Sequence, residues 1–180
     1  MQIAKQVDLI AREFEEETDL FVAVSQIQRR LFSYEDSLNA YALDIASVML
    51  KRADQADYDT WLRVGEGITR ATRKRLRSPA IANEYQRMQA EQVDLIKTIP
   101  HEAAMKVHEW VRSGLANGQR FPEIAARIKN ELGASTEARA ICIARTETAR
   151  ARSNFTQARA KAVGSTGYIW RTVGDGAVRD

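Results

Sequence analysis

The chain runs for 64 residues before its first glycine, Gly65, and reaches its first proline only at Pro79. Glycine and proline are the strongest local breakers of helix, so this stretch has broad permission to be helical. The apolar spacing inside it agrees. Ile3, Val7, Ile10 and Phe14 form one stripe at intervals of three and four. Leu20, Val24, Ile27, Leu31, Tyr34, Leu38, Tyr41, Ile45 and Val48 form a second. The phase slips near residues 15–19, which predicts two helices or one bent one. Ser33 and Asp36 have capping-box-like spacing and suggest a fresh start there. The same spacing approaches that of a coiled coil, but Tyr34 and Tyr41 are bulky for a narrow seam. Packing within a bundle is therefore expected.

Further along, residues 60–77 read as one helix. Trp61, Val64, Ile68 and Thr72 lie on one face, and Arg63, Arg70, Lys74 and Arg77 on the other, with Arg73 beside them. Ser78-Pro79 closes it, because the residue before proline disfavours helix. A helix over about 81–97 follows, and Pro100 suits the first turn of another, with Ala104, His108, Val111 and Leu115 on its apolar stripe. Asn117-Gly118 reads as a left-handed C-cap. Pro122 opens a short helix closed by Gly133, and Ser135 or Thr136 caps a long one running to Gly164. After that the composition changes. Residues 168–173 are β-branched and aromatic, and Gly174-Asp175-Gly176 is a turn signal, so a strand and the start of a hairpin are predicted.

Composition narrows the function classes. A chain of 180 residues suits one domain, or one domain with an arm. The single cysteine, Cys142, excludes an internal disulfide. No apolar run is long enough for a membrane span, and the N-terminus lacks the pattern of a signal peptide. Charge is uneven. Residues 1–60 hold 6 Lys/Arg and 12 Asp/Glu, net −6; the remaining 21 Lys/Arg and 12 Asp/Glu give residues 61–180 a net +9. Two surfaces with different partners, or simply two solvated surfaces, follow from that.

Three segments carry a resemblance. QVDLIKTIPHEAAMKVH (92–108) joins two helices through Pro100, IARTETARA (143–151) lies on the long helix, and GYIWRTVGD (167–175) forms the strand and turn. Their order and spacing resemble the phage Mu F-like head morphogenesis family, the minor head proteins of tailed phages. The resemblance covers about half the chain, and residues 1–80 carry only helical periodicity. It implies a division into an N-terminal helical arm or bundle (1–80) and a Mu F-like domain (81–180). The expected fold is mainly α with a small C-terminal β element. Such proteins usually continue past this turn, with a histidine shortly beyond the position of Asp180, so the β element is expected to be incomplete.

The resemblance further implies a structural protein of the virion head, present in the host cytoplasm during assembly. A few copies would act near the portal vertex in morphogenesis, DNA packaging or ejection. Its partners would be the portal protein, the major capsid protein, or both, with packaged double-stranded DNA as a further candidate. Self-association is compatible; a membrane, a cofactor and an enzymatic activity are not implied. The family-like positions are Pro100, Arg145, Thr146, Glu147, Trp170, Arg171, Gly174 and Asp175. Arg145 is expected to pair with a carboxylate or carbonyl and fix its helix against the β element.

The residues themselves offer two candidate binding surfaces. One is the row of Arg63, Arg70, Arg73, Lys74 and Arg77, a positive helix face able to meet phosphates without reading sequence. The other is Arg145, Arg152 and Arg159, seven apart beside a stripe of Ile141, Ala144, Thr148, Ala151, Phe155, Ala158 and Ala162. The bland reading of each is a solvated flank. Glu147 has no second acid or histidine at useful spacing, so no catalytic residue is assigned. His101 and His108 are seven apart, about 10 Å along a helix, too far for one metal. His108 is expected to be half-buried, and Cys142 buried as a small hydrophobe. No glycine-rich phosphate loop is present. Two other classes stay open: a DNA-binding module without a head role, and a toxin-like or nuclease enzyme whose catalytic residues lie in a C-terminal extension.

Overall fold

The computed structural model describes residues 2–13, 19–65 and 68–167. They form six helices: α1 (Gln2–Arg12), α2 (Leu20–Ser37), α3 (Asn39–Val64), α4 (Arg70–Arg75), α5 (Pro79–Ala116) and α6 (Phe121–Ala162). With 38 and 42 residues, α5 and α6 are about 57 and 63 Å long, and they set the length of the molecule.

The α5–α6 pair is an antiparallel hairpin. Its register is fixed by side chains that meet across it: Lys106 donates to Ser135 at 2.6 Å, Arg139 to Glu102 at 2.6 and 2.8 Å, and Arg150 to Glu91 at 2.7 Å. Closure depends on two glycines. Gly118 has φ +71°, and around it Gln119 N donates to Gly114 O and Gly118 N to Leu115 O, a Schellman termination. Gly114 lets α6 come close, since a Cβ there would sit 2.7 Å from Ile124 Cγ1. The far end of α6 closes the same way at Gly164, φ +92°. Both terminations are as the sequence suggested.

Helices α2 and α3 run antiparallel to α5 as one interrupted rod. Gln28 donates to Ala104 O, and Tyr85 and Gln89 of α5 donate to Ser47. The interruption is a single buried residue, Leu38, rather than a start at Ser33. Asp19 caps α2 by accepting from Phe21 N and Val22 N. Helix α1 lies on the first half of α6, and α3 on the second half. One apolar core runs through α1, α2, the start of α3, α5 and the first half of α6; a second gathers Leu50, Ala53, Ile81, Met88, Ala151 and Phe155. Between them along α5 and α6 lie buried Gln92 and Glu147. A slide of either helix by one turn would carry these polar groups into an apolar layer. Residues on both sides of position 80 share the first core.

Several expectations are corrected. The mainly α plus β description gives way to helix alone: no strand occurs among the described residues, and the strand assigned to 168–173 lies outside them. Pro100 does not open a helix; it is a buried residue inside α5. Its missing N–H and ring clash disfavour the helix by about 3 kcal/mol. The buried Ile96, Ile99, Ala103 and Ala104 on either side carry the helix through it. Likewise α6 is continuous through Gly133 and Thr136, because Gly133 faces α1 at close range instead of ending a turn. The helix over 60–77 is broken: Gly65 N closes α3 on Trp61 O, and Thr69 caps α4 through Thr72 N.

The apolar stripe of α6 is also displaced. The buried residues are Ile124, Ile128, Leu132, Thr136, Ala140, Ile143, Glu147, Ala151, Phe155 and Arg159, whereas Ile141 is exposed. All but one of these steps are four residues, so the buried face winds about 260° around the helix at 100° per residue. The cause is the change of neighbour from α1 to α3.

A Cβ at Gly133 would sit 3.0 Å from Asp8 Oδ1 and 3.1 Å from Asp8 Cβ. Gly133→Ala is expected to be near neutral, helix propensity offsetting the tight contact. Gly133→Leu should push α1 away and lower stability by about 1–3 kcal/mol, read from the urea midpoint.

Candidate functional site

The basic row does not survive as one helix face, but most of it is gathered in another form. Residues 69–78 form a short strap at one end of the bundle, where α3 finishes and α5 begins. Within it Arg70, Arg73, Lys74, Arg75 and Arg77 are all exposed. The side chains of Arg70, Arg73, Lys74 and Arg75 make no ion pair or hydrogen bond among the described residues. Arg73, Lys74 and Arg75 occupy the last turn of α4, where exposed carbonyls favour cations. Arg63 stands apart on the last turn of α3. Arg75 was not singled out from the sequence, although the run of basic residues at 73–77 signals it.

Two strap residues face inward. Leu76 is fully buried, and Arg77 lays its guanidinium 4.2 Å from the centre of the Tyr58 ring on α3. Beneath them lies the least expected residue of the molecule. Arg159, placed by sequence in an exposed ladder, is 1% exposed. Its Nε donates to Leu76 O at 3.2 Å, its Nη1 to the carboxylate of Asp57 and its Nη2 to that of Asp54. The rings of Tyr58 and Phe155 lie 5.7 and 5.6 Å from it. Thr156 donates to the other oxygen of Asp57. A buried guanidinium is tolerable only with such a full set of acceptors.

The rest of the proposed ladder is unlike it. Arg145 and Arg152 are exposed on α6, and Arg145 has no ion pair or hydrogen bond among the described residues. The β element that Arg145 was expected to meet lies outside the described residues; the neighbouring Glu147, 8% exposed, faces inward and accepts from Arg150 at 3.4 Å. Thr146 is exposed. Trp170, Arg171, Gly174 and Asp175 lie outside the described residues. His108 and Cys142 are exposed, contrary to expectation, because the buried side of α5 passes through Val107 and Trp110 and that of α6 through Ile143. Among the described residues no group of three His, Cys, Asp or Glu side chains is placed to hold a metal.

Titration is perturbed at the hairpin seam. The bidentate hydrogen bonds of Arg139 hold the Glu102 carboxyl below its usual range, and the same contact raises Arg139. A lowered folded-state value stabilises above the ordinary carboxylate range and loses that contribution as the pH falls through it. The pair is partly exposed, so the effect is below about 1 kcal/mol. Between pH 7 and pH 3 the wild-type urea midpoint should fall further than that of Glu102→Gln.

Residues 105–180 match the family model described as phage Mu protein F like protein. From Met105 to Asp180 the chain is similar to that family. The Mu F-like region takes in the last turns of α5 and all of α6, including Arg159, and leaves out Pro100 and the basic strap. The chain is also similar to an uncharacterized protein of Haemophilus influenzae strain Rd, at 32% identity over 163 residues. That similarity takes in 88% of this chain but 36% of the relative, so the chain spans about a third of the relative's length. No solved structure matches. No helix among the described residues is long and apolar enough to cross a membrane.

Proposed function

We propose that this chain is part of a minor head protein of a tailed phage, acting in head morphogenesis by docking at the portal or the inner capsid. The observation that carries the proposal is the Mu F-like match along α6. The fold supports it: a helical hairpin about 60 Å long offers extended faces for docking, and its ion pairs and cores fix those faces. The proposal gives the chain no catalytic role. It also places the protein in the virion, in few copies, after assembly in the host cytoplasm.

The strap adds a second contact. Five exposed cations in eight residues, four of them without a side-chain partner among the described residues, suit a polyanion, and inside a filled head the polyanion is double-stranded DNA. This contact would be with phosphates and would not read sequence.

The docking role is tested by co-expressing the protein with the portal protein encoded with it and purifying through a tag on either one. A complex of defined stoichiometry at moderate salt is expected. Two folded proteins that never co-purify, at any tag position, would remove the portal from the proposal.

A further inference from the structure

We infer that Arg159 is a positioning residue for the basic strap, holding it from beneath so that its cations are presented as a set. The inference rests on the strap being a polyanion contact.

A helix of six residues is not stable by itself, and five like charges in eight residues repel one another. Something outside the strap must therefore fix its backbone. Only one strap side chain, Leu76, is fully buried, and the carbonyl of that same residue accepts from Arg159. The guanidinium fork then spends its other two arms on Asp54 and Asp57, both on α3. One planar group on α6 thus joins α3 and the strap, whose acceptors lie 83 to 105 residues before it in sequence. Tyr58 extends the same node outward, since its ring lies near the guanidinium groups of both Arg77 and Arg159. The two carboxylates exceed the one guanidinium by a unit of charge, which leaves a negative counter-field under the cations of the strap. None of the four solvent-facing cations contributes to this node, so placing the strap and binding through it are separate jobs.

Lysine at position 159 would keep the charge but lose the fork, and one ammonium cannot serve all three acceptors in that geometry. The test compares wild type with Arg159→Lys by amide hydrogen exchange and by binding to a 20-base-pair duplex DNA at several salt concentrations. Exchange at residues 70–77 is expected to rise about tenfold or more, with the amides of Ile99–Val111 unchanged. Duplex affinity should fall about three- to tenfold with the salt slope unchanged, because every strap cation is still present. Asp54→Asn, on the open side of the node, should change both readouts in the same direction to a smaller extent and serves if the lysine variant does not fold. Unchanged exchange at 70–77 in the variant that folds, or unchanged affinity with wild type binding normally, would overturn the role of Arg159. A wild-type protein that does not bind duplex DNA would instead overturn the reading of the strap, and the inference with it.

Discussion

Arg159→Met should destabilise the protein by about 3–5 kcal/mol, the largest effect expected from any single polar side chain in this chain. Methionine fills much of the same volume but supplies no donor. Asp57, 7% exposed, would keep only Thr156, and the carbonyl of Leu76 would lose its partner in a buried place. Leaving buried acceptors unpaired is what makes such a change costly, more than losing the attraction itself. The measurement is urea unfolding, with a lower midpoint at an unchanged slope. Adding Asp57→Asn to Arg159→Met should then recover part of the loss, since an amide is less costly to bury than an unpaired carboxylate. Simple additivity of the two changes would show that the groups do not act as a pair.

The second large effect concerns binding. Changing Arg70, Arg73, Lys74 and Arg75 together to glutamine should lower the slope of log affinity for duplex DNA against log salt by about 3–4, at roughly 0.9 per phosphate contact. Stability should stay within about 0.5 kcal/mol of wild type, because these side chains make no bond among the described residues. Arg77 is left in place because it packs on Tyr58. An unaltered slope in the fourfold variant would mean that the exposed cations do not meet phosphate. The two experiments separate cleanly: Arg159 variants should alter affinity without slope, and strap variants slope without stability.

Helix was easy to read in this sequence and helix boundaries were not, for a physical reason. Spacings of three and four report which residues face inward, and the buried Ile3, Val7, Ile10, Leu20, Val24, Ile27 and Leu31 follow them closely. Glycine and proline report local permission only. Gly118 and Gly164 end helices because nothing packs against them and their backbone turns left-handed, whereas Gly133 and Pro100 are carried through by what packs on α6 and α5. No local pattern distinguishes these cases. The same holds for α6, whose inward face winds because its neighbours change, so a fixed period assigns Ile141 and misses Ile143. Arg159 was invisible for a related reason. A buried arginine and an exposed one look alike in sequence, and the acceptors that bury this one come from Asp54, Asp57 and Leu76, far away along the chain. The basic strap was partly legible as a run of charge, but its detachment from α3 at Gly65 was not. The family resemblance was legible because it rests on order and spacing along the chain, which packing does not alter.

The most direct measurement is quantitative mass spectrometry of purified phage heads, filled and empty. If the protein is a minor head component, it should be found in both at a few copies per particle, far below the major capsid protein. Its absence from purified heads, with the protein abundant and soluble in the infected cell, would contradict the proposal.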